Sequence, residues 1–128
     1  GTRRAGEPGT VGFDQIRPGD CLDQLPDTSD IDQVPRVACE DPHDEEVYTI
    51  VDLGDGPWPG AEAVNARAAQ LCSITAEPFL GVSAEATELV LRWYQPVEEV
   101  WNYGDNTVLC IAADPSGKTT GSLRDSRR

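Results

Sequence analysis

Four cysteines constrain this chain more than any other feature. Cys21, Cys39, Cys72 and Cys110 lie far apart, with no Cys-x-x-Cys pair of the kind that marks a zinc knuckle or a thioredoxin-like redox centre. An even number of isolated cysteines in a small domain reads as two disulfides, and four cysteines allow three connectivities. Disulfides persist in oxidising compartments, so the domain is expected outside the cytoplasm. With 128 residues the chain suits one domain around a single core.

The charge balance narrows the partners. Acidic residues outnumber Lys and Arg by 23 to 10, a formal net charge of −13. Such a surface repels nucleic acid and anionic lipid, and copies repel one another, so a monomer is expected and any partner steered by charge is basic. The chain carries neither the run of about 20 apolar residues that spans a membrane nor the pattern of a signal peptide. Membrane attachment is therefore expected only through a tether outside these residues.

Along the chain, residues 1–13 read as a flexible arm, because GTRRAGEPGTVG is rich in glycine and almost without apolar residues. Residues 14–123 form the expected domain, and 124–128 a flexible tail. Pro18-Gly19 makes a turn before a short strand at Cys21-Leu22. VPRVAC (34–39), EVYTIVDL (46–53) and TVLCIAA (107–113) are rich in β-branched and apolar residues and read as strands. The segment 61–77 is alanine-rich and sets Val64, Ala68, Leu71, Cys72 and Thr75 on one face at helical spacing. ATELVLRWYQP (86–96) suits helix or strand, and its aromatic and β-branched content before a proline leans towards strand. VEEVW reads as a helical turn and NYGDN as a turn. Together these predict an α+β domain, one main helix on a small, mostly antiparallel sheet.

Several spaced residues give the chain a resemblance to a known family. They are Gly19-Asp20-Cys21, then Val37-Ala38-Cys39 with Pro42-His43 and Glu46-Val47, then Pro59-Gly60, Cys72 and Tyr94-Gln95-Pro96. Trp101, Gly104-Asp105, Val108-Leu109-Cys110 and Gly121-Ser122 complete the series. In this order they resemble the septum formation domains of actinobacteria, small extracytoplasmic domains of membrane-anchored proteins. The resemblance implies pairing of Cys21 with Cys39 and of Cys72 with Cys110, and a link to cell division. It supplies no reaction, ligand or catalytic residue.

The stretch CEDPHDEEV (39–47) gathers one cysteine, the only histidine and five carboxylates. It is read as a structural turn: local hydrogen bonds hold His43, Glu46 is its expected partner, and Glu40, Asp41, Asp44 and Glu45 face water. With both nearby cysteines expected in disulfides, His43 and carboxylates are an unusual zinc set, and no metal is assigned. A serine-type triad is disfavoured, since the chain has one histidine and no Gly-x-Ser-x-Gly elbow. Gly117-Lys118-Thr119 is no phosphate loop, because Ala112 stands where that motif needs glycine. Asp27, Asp30 and Asp32 have the wrong spacing for a calcium-binding helix-loop-helix, and Ala38 occupies the place of its bidentate glutamate. No cofactor is expected.

Among the aromatics, Trp101 follows apolar Val97 and Val100 and is assigned to the core. Trp58, between Pro57 and Pro59 in a rigid turn, is the candidate partner contact. The function expected from these features is a non-enzymatic interaction domain facing a division or cell-wall partner. A carbohydrate- or peptidoglycan-processing enzyme and a cation-binding or sensory domain are the alternatives. Two carboxylates facing one pocket would favour the enzyme, and a flat apolar patch rimmed by acids the interaction domain.

Overall fold

In the computed structural model, which describes residues 9–24 and 33–128, strand β4 (Glu45–Asp52) lies near the middle of a six-stranded sheet. The other strands are β1 (Gly9–Gly12), β2 (Cys21–Leu22), β3 (Gln33–Val37), β5 (Val90–Tyr94) and β6 (Thr107–Ala113). Their order is β1-β3-β2-β4-β6-β5, and every neighbouring pair is antiparallel. Helix α1 (Ala61–Leu80) follows β4, and the short helix α2 (Glu98–Asn102) joins β5 to β6. The sheet, the main helix and both expected disulfides, Cys21–Cys39 and Cys72–Cys110, are present.

Alternation along the strands divides the buried side chains into two layers. On the side of α1, Val51, Val108, Cys110, Ala112, Leu91 and Trp93 meet Val64, Ala68, Cys72, Ala76, Phe79 and Leu80. On the opposite side, Val47, Ile50, Leu109, Ile111 and Tyr94 pack with Val11, Ile16, Leu22 and Val34. A register shift between Val47 and Thr49 turns Tyr48 into the helix layer, where its ring stacks on Phe79 at 5.2 Å and its hydroxyl donates to the Cys72 carbonyl at 2.6 Å.

Helix α1 runs three residues past the expected end, through Pro78 to Leu80. Proline removes one intrahelical bond, and the burial of Phe79 and Leu80 in the core offsets that loss. Gly81 then stops the helix at φ 86°, donating to the Glu77 carbonyl.

Two segments differ from their expected flexibility. Gly9–Gly12, assigned to the arm, pairs with β3 as strand β1, and Val11 is buried. The tail is docked: Asp125 and Arg127 donate their N–H groups to the Phe79 and Leu80 carbonyls, both at 2.8 Å. These carbonyls belong to the last turn of α1, which has no further helical N–H to satisfy it. Arg124 covers the Phe79 ring, and Arg128 pairs with Glu88 and Asp114. Asp27, Asp30 and Asp32 lie outside the described residues, as does most of the N-terminal arm.

Candidate functional site

The acidic stretch begins at the Cys21–Cys39 bridge and ends in β4. Between them His43 is fully buried and forms a two-way backbone bridge with Thr119, each N–H donating to the other's carbonyl at 3.0 Å. Its Nδ1–H donates to the Asp41 carbonyl at 2.8 Å, while Nε2 lies 3.5 Å from the Thr119 hydroxyl. Gly121 donates to the Cys39 carbonyl. The turn thus fastens the segment after β6 onto β2 and β4.

Two neighbouring carboxylates depart from expectation. Glu46 lies beside His43, but its hydrogen bonds come from the Ser122 hydroxyl and the Leu123 N–H, both at 2.7 Å. Glu45 does not face water: it is 1 % exposed and accepts from Arg92 at 2.6 Å and from the Tyr94 hydroxyl at 2.5 Å. The pleat explains the split, because adjacent strand residues point to opposite faces. Glu46 faces the α1 layer and Glu45 the other. Burial, and then the Glu45 carboxylate, push the Tyr94 phenol well above its ordinary value. Glu40 and Asp41 are exposed as expected. Asp44 is half-buried; burial pushes its carboxyl up, but the Gln24 N–H and Lys118 together outweigh this and hold it below its ordinary value.

Cys21, His43 and Glu46 bring three buried ligand atoms within 4.8 Å of one another. With Cys21 Sγ bonded to Cys39, its sulfur is not available as a thiolate ligand.

On the sheet face away from α1 lies an open concavity of about 450 Å³. Ile16, Ile50 and Leu109 form its apolar part; Asp14, Arg17, Asp105 and Tyr103 contribute polar and aromatic groups. The loop carrying Asp14 and Arg17 is held by a buried ion pair that sequence reasoning missed, Arg36 with Asp20 at 3.1 Å. Arg36 also donates to the Gln15 carbonyl, and Asp20 accepts the Arg17 N–H. Asp105 accepts both the N–H and the hydroxyl of Thr107, which fixes the turn between α2 and β6.

Val97, Val100 and Tyr103, at and within the ends of α2, are 61 %, 38 % and 85 % exposed, and Tyr103 is in the lining of the concavity. Trp58 does not project from its turn as a free contact. It is half-buried against the α1 core, edge-on to Trp101 at 5.8 Å. Trp101 is buried as expected, and its indole N–H donates to the Gly56 carbonyl at 2.9 Å. Tyr103 is the more exposed aromatic; the NYGDN turn signal marked its position, but nothing local distinguished it from Trp58.

Among the described residues no helix is long and apolar enough to cross a membrane. No curated protein and no solved structure matches this chain. A family model described as septum formation matches residues 12–110, from the end of β1 through Cys110 and so across both disulfides and the concavity. Matching well over half of its length, the chain belongs to the septum formation family.

Proposed function

We propose that this is a non-enzymatic interaction domain of a membrane-anchored protein, displayed outside the membrane and contacting a partner of the division machinery or the cell wall. The observation that carries this reading is the concavity on the sheet face away from α1, with its apolar part from Ile16, Ile50 and Leu109 and the exposed Tyr103 in its lining. Apolar surface next to charged groups is the composition of a recognition surface. The acid and base candidates of the 39–47 stretch are held in structural bonds: Glu45 by Arg92 and Tyr94, Glu46 by Ser122 and Leu123, and His43 by Asp41. Two disulfides fit an oxidising location, and the family's name fits a role in division. The net charge of −13 favours a basic partner and opposes nucleic acid.

Cross-linking in intact envelopes tests this reading. The membrane-anchored protein carries a photo-reactive residue at Tyr103, with the same probe at exposed Glu62 of α1 as control. A discrete adduct enriched at division sites from Tyr103 alone supports the proposal; equal labelling from both positions overturns it.

One observation favours an enzyme that processes carbohydrate: Asp14 and Asp105 both line the concavity. Release of soluble fragments from purified cell wall, lost in Asp14→Asn, would establish that reading instead.

A further inference from the structure

The cluster around His43 has a composition that its role as a fastener does not require. Cys21 and Glu46 stand directly opposite each other across β2 and β4, and Cys39 brings a second sulfur to the same place. The Nδ1–H of His43 is held by the Asp41 carbonyl, which leaves Nε2 as the ring atom that would meet a metal. Glu46, 1 % exposed, forms no ion pair among the described residues, and both its partners are neutral. A buried carboxylate without a cation is costly, and a divalent ion would relieve it.

We propose that Cys21, Cys39, His43 and Glu46 form a zinc site in the dithiol form of the protein, so that the same residues close this corner of the fold either as a disulfide or around a metal. Two thiolates, an imidazole and a carboxylate make a four-coordinate set of the kind zinc accepts. Tetrahedral zinc holds its ligand atoms roughly 3.3 to 3.8 Å apart. The 4.8 Å spread of the Cys21, His43 and Glu46 ligand atoms is about 1 Å wider than this, a difference that side-chain adjustment closes once the sulfurs separate. The conversion requires a dithiol reductant. One of its thiolates attacks Cys39 Sγ, on the less buried of the two cysteines, and Cys21 leaves as thiolate. The second reductant thiol then releases Cys39 and departs as a disulfide, having supplied two electrons and two protons. Zinc replaces the two thiol protons, which pass to solvent.

The test uses the full chain, with Cys72→Ala and Cys110→Ala introduced so that only one cysteine pair remains. It is reduced with a phosphine, freed of reductant without air and titrated with cobalt and then zinc. The expected result is one equivalent of cobalt with the intense visible bands of tetrahedral thiolate coordination, bleached by zinc. The oxidised protein gives no such bands. Glu46→Gln and His43→Ala each weaken zinc binding about tenfold or more, and the cobalt spectrum of Glu46→Gln reports on the site should His43→Ala not fold. Octahedral cobalt only, bands that persist in Cys21→Ala, or a reduced chain that stays unfolded with zinc would each overturn the proposal.

Discussion

Removing the Cys72–Cys110 bridge measures how far α1 depends on its covalent link to strand β6. Both sulfurs belong to buried residues, and the bridge spans 38 residues of sequence, against 18 for Cys21–Cys39. In the chain-entropy model, cross-links of these spans stabilise by about 4 and about 3 kcal/mol, a difference of about 0.7 kcal/mol from loop length alone. The Cys72→Ala and Cys110→Ala double variant should therefore lose about 4 kcal/mol. Against a typical total of roughly 5 to 15 kcal/mol, that leaves a folded but weakened domain. The remaining α1 contacts, Val64, Ala68, Ala76, Phe79 and Leu80, hold the helix in place. Urea unfolding of this variant, of the Cys21→Ala and Cys39→Ala double variant and of the parent, all without reductant, gives the two losses directly. A loss below about 1 kcal/mol for the longer bridge would refute the reasoning, as would a clearly larger loss for the shorter one.

Trp101→Ala should cost about 3 to 5 kcal/mol, because it empties a buried indole site and frees the Gly56 carbonyl. Trp58→Ala, which removes a half-buried ring, should cost less; equal losses in urea unfolding would contradict the packing described. Tyr48 and Tyr94 are raised chiefly by burial and should stay protonated in the fold well beyond pH ~10 in an ultraviolet absorbance titration. Their contribution is present below the ordinary phenol value and fades as pH rises through the raised ones, so alkaline unfolding should accompany their ionisation; phenolate formation near pH ~10 in an intact fold would contradict this. Asp114, held well below the usual carboxylate range by Ser116 and then Arg128, contributes stability that is present above about pH 4 and lost on further acidification. Asp114→Asn should be less stable than the parent at neutral pH and converge with it in strong acid; a gap independent of pH would show that the charge is not the cause.

The strands and the main helix were legible because their signals are local. β-branched and apolar runs at 46–53 and 107–113 form strands wherever a partner is available, and the alanine-rich segment from Ala61 has helical spacing. The cysteine count determined that bridges were expected, and the net charge what the surface repels. The tertiary structure decided everything that depends on a distant partner. Val11 and Leu123 stand in segments without periodicity, and those segments are ordered because β3 offers an edge to one and the last carbonyls of α1 accept from the other. Trp58 and Tyr103 look alike as aromatic turn residues, yet Trp101 packs against one while the other is 85 % exposed. Glu45 and Glu46 are identical neighbours in an acidic run. One is buried against Arg92, 47 residues away, and the other against Leu123, 77 away, because the pleat sends them to opposite faces and only the folded sheet supplies each with donors.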